Sequence, residues 1–337
     1  MTAAQEGIQS EWSNVTLLKI NFMVINIITR SIVILVLIMV THNQLKAFEP
    51  EQGLTLSGAD KHLLKILTWN IYMLPFCSRI HKNCKRAMAI AKEIPGYAYD
   101  IIVFEEAFDH QARKILSQQL KDYYPYMYGP ANKSSFSLRT NSGIWILSKI
   151  PLQQLEQIEF KNRFGIDALA RKGAVLFEGQ WQGQPFQLLG THLQNDSPDS
   201  VRYGQCHEIA EKLLKKYTKL DTPQIVCGDF NIEFAKNMTY GKMLKILDAE
   251  NGSLKGELQT SFDEVNNNLA QKENGERQLI DYVLVRNPEA IKDIERQVFV
   301  LKGCIRDIDS YLSDHYGIEA TVNFNISPPV SLSLLHK

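Results

Sequence analysis

The chain has 337 residues, 45% of them apolar and 22% charged, enough for a sizeable core in one large domain or two small ones. Lysine plus arginine equal aspartate plus glutamate at 37 each, so the composition lacks the basic excess that usually marks a nucleic-acid partner. The cysteines Cys77, Cys84, Cys206, Cys227 and Cys304 fit no zinc-ligand spacing, which argues against a structural zinc fold.

The first 47 residues read as a targeting segment. "SIVILVLIMV" (31–40) follows Arg30 and gives way to polar sequence, the layout of a secretory signal peptide. The apolar run is too short for a bilayer span, which needs about 20 residues. A start at Met23 would give a leader of ordinary length ending at Ala47. The expected location is therefore secreted or periplasmic, with a membrane anchor through residues 22–41 as the alternative. In an exported protein Cys77 and Cys84 are placed to pair, whereas Cys227 reads as a small buried hydrophobe.

Residues 48–60 form a linker, 61–326 a folded domain and 327–337 a C-terminal extension. Along the domain, "LLKILTWN" (63–70), "DIIVFEE" (100–106), "SGIWILSK" (142–149), "PFQLLGTH" (185–192), "PQIVCGDFN" (223–231) and "QLIDYVLV" (278–285) read as strands. Most are near-continuous apolar runs, the pattern of strands covered on both faces. Helices are expected at 110–124 and at 197–219, the latter with Ser200 as N-cap. Strands alternating with helices predict a layered α/β domain.

Polar residues of a restricted kind close these strands. Asn70 ends the first and Glu105-Glu106 the second; His192 and the pair Asp229 and Asn231 end later ones. Asp281 lies in "LIDYVLV", and Asp314 and His315 lie just before the last strand. Carboxylates and amides gathered at one end of a sheet suit a hard divalent cation, and two histidines can move protons near neutral pH. No Walker A or G-x-S-x-G sequence competes. Metal-assisted hydrolysis of a phosphoester fits this set.

Taken in order, "WN", "FEEAFD", "GTHL", "GDFN", "LIDYVLV" and "SDHYGIEA" resemble the endonuclease/exonuclease/phosphatase superfamily. Within it, "NIYMLP", "SPDSVRYGQCHEI" and "LSDHYGIEAT" are most similar to bacterial neutral sphingomyelinase C. The resemblance implies a four-layer α/β sandwich, two packed β-sheets flanked by helices. It also implies Mg²⁺-dependent cleavage of sphingomyelin to ceramide and phosphocholine, with Mn²⁺ or Co²⁺ as substitute metals. The implied partner is a membrane sphingolipid, with no nucleic acid and no protein partner.

Carried over residue by residue, the resemblance makes Asn70, Glu106 and Asp314 the metal-site residues. It makes His192, Asp229, Asn231, Asp281 and His315 catalytic, with Asp281 holding His315, and it leaves open which histidine is acid and which base. Glu105 stands where many relatives have glutamine or asparagine, which would add a charge beside the metal. Lys172 and Phe108 are the candidate substrate contacts, and Tyr72, Phe76, Phe299 and Tyr311 are further aromatic candidates for the cleft rim. The basic run Arg79, His81, Lys82, Lys85 and Arg86 reads as a solvated helix start or a contact for lipid phosphate. A nuclease or inositol-phosphate phosphatase sharing the metal site, or a catalytically weak membrane-anchored lipid binder, are the alternatives.

Overall fold

Strand β1 (Leu63–Met73) divides its side chains between two apolar clusters. Leu67, Trp69, Ile71 and Met73 enter one, while Leu64 and Ile66 enter the other, as the two-residue strand period requires. Thr68 and Asn70 continue the second face. The structure, a computed structural model, describes residues 63–325 except 76–77, 134–138, 273–274 and 306–307. The targeting segment, the linker, the C-terminal extension and the candidates Phe76 and Cys77 lie outside the described residues.

Helices α1 (Asn83–Glu93) and α2 (His110–Leu120) close the first cluster with Ala87, Ile90, Ala112 and Leu116. Helices α3 (Asp199–Ile209) and α4 (Asn237–Leu247) close the other side with Cys206, Ile209, Met243 and Leu247. Between them lie two sheets. The strands of these two sheets, and of two separate two-stranded ones, continue in chain order with β2 (Ile101–Ala107), β3 (Tyr126–Tyr128), β4 (Trp145–Ser148), β5 (Gln153–Glu159) and β6 (Gly173–Trp181). Then come β7 (Gln184–His192), β8 (Gln224–Asp229), β9 (Leu254–Lys255), β10 (Phe262–Asp263), β11 (Arg277–Gln278) and β12 (Asp281–Arg286). The last are β13 (Ile291–Phe299), β14 (Lys302–Cys304), β15 (Asp309–Tyr311) and β16 (Gly317–Phe324).

The seven-stranded sheet has the order β3-β4-β2-β1-β16-β13-β9, and the five-stranded sheet the order β12-β8-β7-β6-β5. With helices on both outer faces this is the four-layer α/β sandwich that the family resemblance implies. Register then places the site. In the second sheet His192 pairs with Asp229 across β7 and β8, and Asp281 pairs with Asp229 across β12 and β8. In the first sheet Asn70 pairs with Glu105. Gly228, just before Asp229, has φ +151, and a Cβ there would lie 1.9 Å from the Thr191 carbonyl oxygen. Only glycine lets β8 approach β7 so closely.

Some boundaries differ from expectation. The run 278–285 is split: Gln278 ends the short strand β11, and β12 begins at Asp281. The helix expected over 197–219 is α-helical to Ile209 and then forms a π-helical turn over Ala210–Leu214. It starts after Pro198 without a side-chain cap, so Ser200 is not its N-cap. The helix expected over 110–124 ends at Leu120 and is capped by Asp109, which accepts from the Gln111 and Ala112 amides.

Candidate active site

A cleft of ≈ 560 Å³ opens where the two sheets present these strand ends, lined among others by Tyr72, Glu106, His192, Asp229, Asp314 and His315. Asp229 is its most constrained acid. Its Oδ1 accepts the Asn231 amide at 2.9 Å, and its Oδ2 accepts the Asn70 Nδ2 at 3.1 Å. Asn231 also donates Nδ2 to the Leu193 carbonyl at 3.2 Å. The strand-end acid and amide, projecting together, thus form an interlocked turn whose carboxylate faces the cleft. Tyr72, Glu106 and Asn231 all have φ near +50, a backbone region that non-glycine residues enter rarely and that is often used to aim side chains at functional sites.

His315 enters from the other sheet. Its Nδ1 is 2.9 Å from Asp281 Oδ2, leaving Nε2 directed towards Asp229 Oδ2 at 3.8 Å. Burial would lower its pKa, but the carboxylates of Asp281, Asp229 and Asp314 outweigh burial and raise it well above the usual imidazole value. His192 is held in the opposite state. Burial, Lys172 and His315 push its pKa well below the usual value. Lys172 Nζ lies 3.0 Å from His192 Nε2, 2.6 Å from Asp167 Oδ2 and 3.0 Å from the Leu193 carbonyl. An ammonium can only donate, so His192 Nε2 is the acceptor and its proton sits on Nδ1.

Glu106 and Asp314 face each other electrostatically. Burial and the Asp314 charge raise Glu106 to about 7, and burial raises Asp314 as well. Glu106 Oε2 is buried with no hydrogen-bond partner. An orphaned carboxylate oxygen beside a second acid is a donor set that fits a hard divalent cation. Asn70, the third residue assigned to the metal, has its amide engaged: Oδ1 accepts the Tyr72 amide at 3.1 Å while Nδ2 holds Asp229. Asp229, Asp281 and His315 also present ligand atoms within 4.8 Å of one another, but there the Asp281–His315 hydrogen bond already accounts for the approach.

Several expectations are corrected. Glu105 points between the sheets, accepts the Thr68 hydroxyl at 2.7 Å, and is held far above the usual carboxylate range by burial. Burial thus favours its uncharged form, against the added charge that the sequence suggests. Phe108 is buried with its ring against Gly143 and is not among the cleft-lining residues. Phe299 is core, packed on Trp69, Tyr97 and Tyr99. Lys172 is spent on His192 and Asp167 and does not line the cleft. Tyr311 packs against Tyr316 in a tilted arrangement, ring centroids 5.4 Å apart, and does not line the cleft. Arg86 is neither solvated nor a phosphate ligand. It is buried and donates to the carbonyls of Ile71 (2.7 Å), Tyr72, His81 (2.9 Å) and Leu312 (2.9 Å), fixing the turn that carries Tyr72. Cys84 is a free thiol in this structure.

Sequence reasoning missed Asp167, the partner of Lys172, and Phe262, whose ring centroid lies 4.9 Å from that of His315. It also missed Glu264, Lys272 and Glu276 at the cleft mouth. None of these sits in an apolar run that would have drawn notice.

Residues 67–315 match the model of the Endonuclease/Exonuclease/phosphatase family. Sphingomyelinase C 2 of Leptospira interrogans is 30% identical over 299 residues, covering 79% of this chain and 47% of that protein. A Leptospira interrogans sphingomyelinase C is 27% identical, covering 83% of this chain and 55% of its own length, so the chain spans about half the length of these two relatives. A phospholipase C of Staphylococcus aureus is 26% identical over 78% of this chain and 88% of its own. The crystal structure of Staphylococcus aureus beta toxin superposes with TM-score 0.68 at 26% identity, covering 76% of this chain and 99% of that one. A further beta toxin structure, described as having bound magnesium ions, gives 0.66 at 25% identity, covering 76% and 98%. With a family model spanning most of its length and the polar strand ends of both sheets meeting in one cleft, this chain belongs to the Endonuclease/Exonuclease/phosphatase family.

Proposed function

We propose that the protein is a Mg²⁺-dependent phosphodiesterase that hydrolyses sphingomyelin to ceramide and phosphocholine. The observation that carries this reading is one cleft holding an Asp281-anchored His315, a neutral His192 and the orphaned Glu106 carboxylate. The similarity to sphingomyelinase C proteins supports the choice of substrate.

Glu106 and Asp314 would hold the cation, which when bound neutralises phosphate oxygens and lowers the barrier to attack by water. Asp229, fixed by Asn70 and the Asn231 amide, stands beside both imidazoles to accept from the attacking water. The displacement needs one group to take the proton from water and another to give a proton to the departing ceramide oxygen. Asp229 as the acceptor and the protonated His315, through its Nε2–H, as the donor meet that need. Asp281 fixes the His315 ring so that Nε2 reaches the cleft, while Lys172 engages His192 at Nε2 and helps to keep that ring neutral.

The same reading makes residues 61–326 the catalytic domain, preceded by a linker and an export signal and followed by a short extension. Mature protein recovered from medium or periplasm should begin between about 42 and 55. Among the described residues no helix is long and apolar enough to cross a membrane.

The deciding assay sets the purified protein against sphingomyelin vesicles, phosphatidylcholine vesicles and plasmid DNA at one enzyme and Mg²⁺ concentration. Phosphocholine release from sphingomyelin, abolished by chelator, is the expected result. Rapid plasmid nicking beside inert sphingomyelin would refute the lipid assignment.

A further inference from the structure

Three arginines are buried among the described residues, and they differ in what meets their charge. Arg86 is surrounded by backbone carbonyls and by Asn83 Oδ1. Arg286 donates to Thr218 and Gln224 at 2.7 and 2.9 Å and pairs with Asp248 at 3.1 Å. Arg296, only 2% exposed, makes one hydrogen bond, from Nε to the Val283 carbonyl at 2.6 Å. Its Nη1 is buried without a partner. No carboxylate is among the charges that act on it.

A guanidinium in that position is costly. A buried charge is tolerated when it is paired and its donors are satisfied, and guanidinium has five N–H donors in a rigid fork. Arg296 sits on β13 between Ile294 and Val298, both packed against the apolar cluster between the sheets. Replacing it by an aliphatic residue would continue that face. Its Nε caps the open edge of β12, but one carbonyl accounts for one donor only.

Arg296 is one of the residues lining a cavity of ≈ 430 Å³, with Asn251, Gly252, Ser253, Lys255 and Lys292 among the others. The backbone of the 251–253 loop passes directly over the guanidinium: a Cβ on Gly252 would lie 2.3 Å from Arg296 Nη1. The cavity's acids, Glu250, Asp293 and Glu295, are all solvent-exposed, and Glu295 is already paired with Lys255. None of the residues lining this cavity lines the active-site cleft.

We infer that this cavity is an oxyanion-binding site, in which the free side of the Arg296 fork takes the phosphate group of inorganic phosphate or of a small phosphomonoester. A tetrahedral oxyanion presents two oxygens at the spacing of adjacent guanidinium N–H groups and supplies the missing counter-charge. Ser253 adds a neutral donor at the cavity wall, Asn251 already donates Nδ2 to the Tyr240 hydroxyl at 2.8 Å, and Gly252 leaves the room that any side chain would occupy.

The experiment uses the full chain in excess chelator, where the metal-free cleft is lined by carboxylates and repels phosphate. Thermal unfolding is followed against inorganic phosphate and, separately, glycerol 3-phosphate, with sodium chloride at matched ionic strength as control. A saturable rise in Tm is expected, with calorimetry giving one phosphate per chain. Arg296→Met should abolish the saturable rise, and Gly252→Ala should weaken binding at least 10-fold while leaving hydrolytic activity unchanged. Should Arg296→Met fail to fold, Gly252→Ala decides alone. Glycerol 3-phosphate binding at least 10-fold tighter than phosphate would make a phosphomonoester the ligand, and the reverse order would make it free phosphate. A rise that never saturates, or one of equal size in the variants, would overturn the site.

Discussion

Asp281 and His315 meet across the interface between the two sheets, 2.9 Å apart, Asp281 opening β12 of one and His315 leading into β16 of the other. The imidazole is therefore oriented by a strand to which it has no backbone connection. Asp281→Asn keeps the shape and removes the charge. The variant should fold, keep its KM and lose about 10²–10⁴-fold in kcat, the range seen when an orienting carboxylate is neutralised. In the metal-free protein its His315 should titrate closer to the ordinary imidazole value, which an NMR titration reads directly.

Glu106 links metal and pH. Burial with Asp314 raises Glu106 to about 7, and burial with Asp281 raises Asp229 to about 6, both above the unfolded carboxylate value of ~4. Between those values these two acids hold more protons in the folded metal-free chain than in the unfolded one, so their contribution to stability should fall as pH rises from ~4.5 to ~7, opposed by His192, whose depressed pKa acts the other way. His315 acts in the same direction as the two acids, because its raised folded pKa gives stability below ~6.5 that is lost as pH climbs through the folded value. Added Mg²⁺ should stabilise more at pH 8 than at pH 5, since protons compete for the ligands. Glu106→Gln should flatten the pH slope of Tm in chelator and cut activity by about 10²-fold or more. Full activity of that variant would remove Glu106 from the site.

Lys172→Met should act through His192. With its donor gone, the imidazole is released from one fixed tautomer and its depressed pKa moves back towards the usual value. A loss of about 10–10²-fold in kcat is expected, with a displaced pH–rate profile and partial recovery in Lys172→Arg. An unchanged profile would make Lys172 a packing residue only.

Asp109 tests a helix start away from the chemistry. Its Oδ1 accepts the Gln111 and Ala112 amides at 2.8 and 3.0 Å, and Asn83 donates to its Oδ2 at 3.1 Å. Burial pushes its pKa up, but these hydrogen bonds win and hold it below the usual range. Asp109→Ala should cost about 1–2 kcal/mol at neutral pH, a fall in Tm of about 2–8 °C. The difference should shrink as pH drops below ~3.9, where the unfolded carboxylate and then the folded one take up protons.

What was legible in the sequence follows burial. Strands covered on both faces read as apolar runs, so β1, β2, β7 and β8 announce themselves, and with them the polar residues where the runs stop. Strands β5 ("QQLEQIE") and β13 ("IKDIERQVF") are half exposed and carry charge on the open face, which hides them. Helix α1 ("NCKRAMAIAKE") is hidden for the opposite reason: its basic sequence suggests solvent, yet Arg86 is buried among carbonyls. The misplacement of Phe299 and Phe108 has a related cause. Neighbourhood in sequence to Glu106 or to the last strand does not say which face a ring takes, and these rings fill the fold's interior. The Asp167–Lys172–His192 array joins a loop to two strand ends, and no periodicity encodes such a meeting.

The pairing of β1 with β16, Leu63 against Asn323, bears on how the protein is made. The Trp69 indole donates to the His315 carbonyl at 3.0 Å, and the Ser313 hydroxyl to the Asn70 carbonyl at 2.6 Å, so the first and last strands of the domain build the cleft between them. A ribosome releases β1 long before β16 exists, and such distant pairings form slowly. No nascent or prematurely terminated chain can assemble the His315–Asp281 pair. Synthesis and site assembly are thereby separated in time: the cleft exists only once the strand that follows His315 has arrived.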